Sequence, residues 1–356
     1  MIIYINININ NINNIYNINN IYNIINKLKS FFLLYNYKMN TFLKLKKWLN
    51  KENDNLMMFD TGSRGIYSTK NIKKNEVIIS IPNKYIIQYS KIKDDNLVNK
   101  LNNVNSMVAL YLYINFQKKK SFWKPYLNIL PENLEEYIYY YDNKKLNSLK
   151  GTSIMSKYDY NYNTHLENII EDSHTVYDYL DDKNIKYDDF YLLFLKCRIY
   201  VCSRIFSYQK NDIEDYGMVP YADLLNHSQN FNTKWDYNNE KNCFEVIATK
   251  NIKANNEIYD SYGQKTNFEL LLYYGFTIKD NIYSELIIKN KNKILKISKE
   301  KLLENDILII KNIIFINKLK DILKKHEEKV KKIKDDNIIN IYNDEISIIK
   351  MYLERV

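Results

Sequence analysis

Two stretches of this chain combine residue types that could carry chemistry: MVPYADLLNHSQNF at 218–231 and EIYDSYGQKTNFELLLYYGF at 257–276. The first sets Asp223, Asn226 and His227 close together; the second sets Tyr262 before Gly263 and closes on Tyr274, Gly275 and Phe276. These residue types do not weigh equally. Asn, Ile, Lys and Tyr share A/T-rich codons and are abundant here, with 34 tyrosines, so any one of them alone says little. Gly (6), Pro (4), Trp (3) and His (4) are scarce, and motifs built from them are informative. Ser203, Asp223 and His227 could suggest a hydrolase triad. The chain has no G-x-S-x-G turn, however, and its Asp and His lie only four residues apart, so that chemistry is set aside. Cys197, Cys202 and Cys243 are scattered without a C-x-x-C pair. With His165, His174, His227 and His326 they give no zinc or iron spacing, and no metal is expected.

The elements that must position these residues can be read in outline. TFLKLKKWL places Phe42, Leu45 and Leu49 at helical spacing with Trp48 alongside. GSRGIYSTKNIKKNEVIISIP reads as strand, turn, strand: Ile66 and Tyr67, a polar turn, then Val77–Ile81 stopped by Pro82. Residues 97–117 have the length and apolar period of a buried helix, and 120–150 is an aromatic segment whose path is fixed by Pro125 and Pro131. Residues 165–181 and 188–208 read as helices, the second capped by Asp188 or Asp189. Short strand patterns return from 217 to 276, and the Lys/Ile/Leu-rich remainder from about 285 has helical spacing. Short strands around a helical block, followed by helices, predict an α+β enzyme.

Four separated segments then resemble the SET-domain methyltransferases, in particular the RuBisCO large-subunit methyltransferase-like group. They are Ser63-Arg64-Gly65-Ile66 with the following KNIKKNEVIISIP; Trp123, Pro125, Tyr126, Leu130 and Pro131; Asp223, Asn226 and His227; and Tyr262-Gly263 with Asn267, Glu269, Leu270 and Tyr274-Gly275-Phe276. They fall in the family's order over roughly residues 42–280. The resemblance implies a SET-domain β fold of short strands with a helical insert and a short helical C-terminal extension. It also implies S-adenosyl-L-methionine as cofactor and a lysine of a partner protein as methyl acceptor. On that reading Tyr262 is the catalytic tyrosine and also borders the cofactor. Arg64, Gly65 and Ile66 form the loop passing beside the cofactor, where glycine permits close approach. Arg204 meets the cofactor's carboxylate region, and Asn226 and His227 bind its adenine and amino-acid portions. Ser203, Phe206, Asp223 and Tyr274 surround the substrate channel, whose aromatic faces suit cationic or methylated amines.

The chain departs from the family pattern in three places. Ser63 stands where the first glycine is common, the C-terminal helical region is short, and no cysteine cluster follows the catalytic segment, which points away from a histone target. A branch of the group methylates histidine; Phe206 speaks against that acceptor, since the branch carries Asn there. A catalytically inactive SET-like binding module is the third reading, although the tyrosine and the Asn-His pair are both kept. The expected organisation is a low-complexity Ile/Asn leader at 1–39, the N-terminal part of the SET domain at 40–96, a helical insert at 97–208, the C-terminal SET core at 209–280 and a helical extension at 281–356. The net charge of +10 is spread along the chain, so nucleic acid is not expected as the primary partner. A monomer in a reducing intracellular compartment, cytoplasmic or nuclear, is the simplest expectation. The lysine-bearing leader, with the short apolar FFLLY at 31–35, raises organelle targeting as an alternative, and Met39 raises a later start; no membrane span is expected.

Overall fold

A helix over 38–48 opens the described chain, and its apolar spacing finds its reason in Phe42, Leu45 and Leu49, all buried beneath it. The computed structural model describes residues 38–52, 54–60, 64–155, 162–181, 184–290, 293–304 and 313–356. Residues 1–37 of the expected leader and Ser63 therefore lie outside the described residues, and the leader's last two residues, Lys38 and Met39, begin the helix instead.

In chain order the strands are β1 (Leu56–Asp60), β2 (Arg64–Ser68), β3 (Val77–Pro82), β4 (Ile87–Gln88), β5 (Ile205–Lys210), β6 (Ile213–Met218), β7 (Asn226–His227), β8 (Thr233–Asn238), β9 (Cys243–Ala248), β10 (Tyr259–Asp260), β11 (Glu285–Asn290) and β12 (Lys293–Ser298). They form small sheets: β1 with β2, β3-β9-β8, β4-β6-β5, a parallel β7-β10 pair and the β11-β12 hairpin. Backbone bonds stitch the sheets together, among them Ile258 N–H to Ile66 O at 2.7 Å and the Ile72–Ile252 exchange at 2.8 and 2.9 Å. Between β4 and β5 the chain makes the helical insert, in which helices Asn105–Gln117 and Tyr187–Arg204 pack together, with Tyr113 edge-on to Phe190 at 5.0 Å. A large apolar core joins this insert to the sheets. Helix Asn267–Tyr274 is held at its start by a capping box between Thr266 and Glu269 and at its end by left-handed Gly275. The C-terminal helices Ile313–Val330 and Asp336–Leu353 pack with the β11-β12 hairpin around separate apolar clusters. No helix among the described residues is long and apolar enough to cross a membrane.

The architecture is α+β, as the sequence predicts, but several elements differ from expectation. β1 was not foreseen, because LMMFD contains no β-branched residue to mark it as a strand. The helix expected over 97–117 begins at Asn105: Asp94 caps a separate short helix Asp95–Val98, and the Asn102 backbone N–H then donates to Asp172 Oδ1 at 2.6 Å. The helix expected to reach 208 ends at Arg204, where Ile205 turns extended and pairs with Met218, so Phe206 stands on a strand. Its N-cap is Lys186; Asp188 and Asp189 lie in the first turn, where they favour the helix dipole. The strand pattern to 276 gives way to helix at Asn267, and the C-terminal region opens with a hairpin before its helices.

Candidate functional site

The site forms where β7 lies parallel to β10, with Asn226 opposite Tyr259 and His227 opposite Asp260. This pairing brings the two informative segments of the sequence together. Tyr262, just past β10, donates its hydroxyl to the Leu225 carbonyl at 2.8 Å, and its backbone N–H donates to His227 Nδ1 at 3.0 Å. An imidazole nitrogen that accepts carries no proton, so His227 is neutral with its hydrogen on Nε2. Burial pushes its pKa below the ordinary value, against the Asp260 backbone. The Tyr262 ring is stacked between His227, at 5.1 Å, and Tyr274, at 4.7 Å. Burial pushes its phenol pKa well up, and Arg204 only partly opposes this. Its one proton is given to Leu225, so the lone pairs are what the hydroxyl offers to the space around it.

Three cavities follow one another through shared walls, and this tyrosine borders the second and third. The first, about 540 Å³, is bounded by Met58, Arg64, Leu130, Pro131 and Asn226. The second, about 140 Å³, shares Arg64 and Asn226 with the first and adds Arg204, Asp223, Tyr262 and Tyr274. The third, about 310 Å³, shares those last four residues with the second and continues past Phe206, Trp235 and Asp260. Ser203 borders the second and third; its hydroxyl donates within its own helix, to Ile199 O at 2.9 Å, and takes no part in a Ser-His-Asp relay.

Arg204 and Asp223 face each other inside this series. Arg204 Nη1 donates to the Asp223 backbone carbonyl at 2.8 Å and reaches Oδ2 at 3.4 Å. Tyr126, from the insert, donates to the same Oδ2 at 2.7 Å, while Asp223 Oδ1 and Arg204 Nε have no hydrogen-bond partner among the described residues. Burial would push the arginine pKa down, but the Asp223 carboxylate overrides it and holds the guanidinium charged. Burial also pushes the Asp223 carboxyl above its ordinary range, against the pull of Arg204. The expected arginine contact to a cofactor carboxylate thus meets a guanidinium already engaged with Asp223.

Asn226 is fixed from behind. Its Nδ2 donates to Arg64 O at 2.5 Å and to Glu257 Oε1 at 2.8 Å; Tyr67 and Tyr259 donate to Glu257 Oε2 at 3.1 and 2.6 Å. Gly65 faces that carboxylate, and a Cβ there would collide with Glu257. The close approach that glycine permits here is therefore that of Glu257. Ile66 is buried in β2 and His227 supports Tyr262, so neither they nor Gly65 line the cavities named above. Arg64 Nη1 donates to Ile129 O at 3.0 Å, tying the loop to the insert.

Sequence reasoning missed Trp235, Asp260 and Glu257, and it gave Tyr126 no role beyond its place in the insert motif. Asp260 had a signal only in its place two residues before Tyr262, at the end of β10. Trp235 had none beyond its rarity. Among the described residues no three His, Cys, Asp or Glu side chains converge as a metal would require.

Comparison with known proteins bears on the family and the fold. The SET domain family matches residues 63–263. The pea (Pisum sativum) chloroplastic RuBisCO large-subunit N-methyltransferase is 27% identical over 240 residues, 61% of this chain and 46% of that protein. The dog (Canis lupus familiaris) actin-histidine N-methyltransferase is 23% identical over 273 residues, 70% of this chain and 45% of that protein. The chain thus spans about half the length of the curated relatives it matches. The crystal structure of the SET domain of LSMT bound to lysine and AdoHcy superposes with a TM-score of 0.66 at 18% identity, covering 89% of this chain and 90% of that one.

Proposed function

The chain belongs to the SET-domain family, and from that premise we propose that it is an S-adenosylmethionine-dependent protein-lysine N-methyltransferase acting on a non-histone protein. The observation that carries the reading is a series of three cavities with shared walls: a roomy chamber joins a small one at Arg64 and Asn226, and that one joins an aromatic-walled chamber at Tyr262. The residues present fit the cofactor. A chamber of about 540 Å³ with apolar Met58, Leu130 and Pro131 opposite polar Asn226 suits a nucleoside-sized group, and the unpartnered Arg204 Nε lies further along the series. Arg64, Asn226 and Arg204 would hold the cofactor there, with Gly65, Ile66 and His227 shaping the backbone behind them. When bound, S-adenosylmethionine supplies an electrophilic methyl group on a cationic sulfur.

The remaining work belongs to the chain. Methyl transfer to an amine is an in-line displacement, so positioning and exclusion of water dominate. The acceptor lysine must be neutral, and deprotonating it at pH 7 costs about 4–5 kcal/mol in water. Low-polarity walls from Phe206, Trp235 and Tyr274 reduce that cost by disfavouring the ammonium. Tyr262 serves as an acceptor of N–H and C–H contacts rather than as a base, because burial keeps its phenol protonated.

The test is calorimetric titration of S-adenosylmethionine, followed by labelled-methyl transfer into a cell extract with the modified residue identified by mass spectrometry. Tyr262→Phe is expected to lower turnover about 100-fold or more while leaving cofactor affinity within a few-fold. Unchanged turnover refutes the role of Tyr262, and absence of cofactor binding refutes the proposal. A histidine acceptor is the second reading, favoured by the similarity to the actin-histidine enzyme; a methyl located on histidine would establish it.

A further inference from the structure

The charged residues lining the third cavity are Arg204, Asp223 and Asp260. The first two are turned towards each other, as described above. Asp260 is not so paired. It is 4% exposed, it borders the cavity beside Tyr262, and no ion pair to it is found among the described residues. Its backbone carbonyl accepts from Ser228 N–H at 3.1 Å, but among the described residues the donor that meets its carboxyl group is the neighbouring Ser261 backbone N–H. A carboxylate taken out of water and given no cation is costly, and such groups are kept where a ligand completes them. The aromatic faces of Phe206, Trp235 and Tyr274 share the same chamber, so the space is walled by rings and carries one uncompensated acid. Rings and a carboxylate together are complementary to an organic cation.

We infer that Asp260 is the residue that selects a cationic acceptor side chain, receiving the protonated amine of the target lysine in the third cavity. The inference deepens the proposed function and rests on it: it concerns recognition of the ammonium form, which predominates at neutral pH, and methyl transfer still requires the neutral amine. A neutral imidazole would gain much less from this carboxylate, so Asp260 discriminates lysine from histidine independently of Phe206. Burial pushes the Asp260 carboxyl up to about 6, against the Ser261 backbone N–H, so its charge is present at neutral pH and is lost in mild acid. The other titratable groups facing it are Arg204, Asp223, Tyr262 and Tyr274 on the cavity wall and His227 on β7.

The test uses Nα-acetyl-lysine methylamide and its uncharged norleucine counterpart as probes, titrated against the full chain with and without S-adenosylhomocysteine. Wild type is expected to prefer the lysine probe, and that preference should fall roughly tenfold between about pH 7.5 and pH 5. Asp260→Asn should weaken the lysine probe roughly tenfold or more at pH 7.5, leave norleucine unchanged and abolish the pH dependence, which separates Asp260 from Asp223 and His227. Asp260→Glu should restore the preference. Asp260→Asn should also melt no lower than wild type at neutral pH, a readout that a purely structural carboxylate would move the other way. Equal affinity of wild type for both probes overturns the inference, as does an Asp260→Asn variant that still prefers lysine. If that variant does not fold, the wild-type pH series decides alone: a lysine preference that is flat with pH overturns it. Failure of the proposed function is read separately, as absence of cofactor uptake and methyl transfer, whereas probe selection without cofactor reads Asp260 itself.

Discussion

Tyr126→Phe isolates a single hydrogen bond that joins the helical insert to the site. The phenol is fully buried and donates to Asp223 Oδ2 at 2.7 Å. The other side-chain donor to that oxygen, Arg204 Nη1, stands at 3.4 Å, and Oδ1 has no partner among the described residues, so Tyr126 supplies the one short bond this buried carboxylate receives from them. Phenylalanine keeps the ring, which leaves packing intact and makes the loss that of one charge-assisted bond, about 1.5–3 kcal/mol. The pH dependence follows from the direction of the Asp223 shift. Burial already holds its carboxyl above the ordinary range and the phenol pulls it back, so removing the phenol raises it further. A carboxyl with a folded pKa above its unfolded value contributes most below the unfolded pKa, and that contribution is lost as pH rises through the folded pKa. The variant should therefore be destabilised most near pH 8. The deficit should shrink towards about 1 kcal/mol as acid protonates Asp223 and the bond becomes one between neutral groups. Urea unfolding of both proteins at about pH 8, 7, 6 and 5 measures the difference. A deficit below about 0.5 kcal/mol at pH 8, or one that does not change with pH, would refute the reasoning.

Two further outcomes follow from the same structure. Gly65→Ala forces the Glu257 carboxylate off its bonds to Asn226, Tyr67 and Tyr259, so it should cost about 1–3 kcal/mol in urea unfolding and weaken cofactor binding several-fold in calorimetry. Lys299→Met removes the ammonium that stands 3.2 Å from buried Asp344, leaving only the neutral donors Asn267 and Ser284. A loss of about 3 kcal/mol is expected, larger at pH 8 than at pH 5, because burial already raises the Asp344 carboxyl; a thermal midpoint equal to wild type at both pH values would contradict it.

How far the site was legible depended on what each residue must do locally. Asp223, Asn226, His227 and Tyr262 could be singled out because scarce residue types fixed the two motifs, whereas the helix after Tyr262 falls within the predicted strand pattern although Thr266 and Glu269 stand at capping-box spacing. Phe206 is placed at the site by the resemblance but reads as helix, because no Gly, Pro or turn residue separates Arg204 from the strand IFSYQK and the change shows only where Ile205 pairs with Met218. The aromatic insert motif was visible, yet the bond from Tyr126 to Asp223 spans 97 residues and no local pattern encodes it. Gly65 was singled out as a place where the cofactor comes close, and the group that stands against it in the structure is a side chain of the protein itself. What fills the space, the Glu257 carboxylate, comes from an isolated bridge to Tyr67, far along the chain, and becomes evident only in three dimensions.

Two buried carboxyls in this protein show why partners, rather than pKa shifts, separate scaffold from site. Asp344 and Asp260 are both raised by burial, and 3% and 4% exposed. Around Asp344 the fold has placed an ammonium, a hydroxyl and an amide, from Lys299, Ser284 and Asn267, so the charge is answered inside the chain and ties the C-terminal helix Asp336–Leu353 to the helix that carries Tyr274. Around Asp260 it has placed rings and a cavity. The rise from 3.8 to about 6 corresponds to about 3 kcal/mol of folding stability forgone at neutral pH, and an asparagine at 260 would recover much of it. A cost of that size next to Tyr262 is understandable if the missing counter-charge arrives with the substrate. The same cost next to a filled scaffold network would have no use.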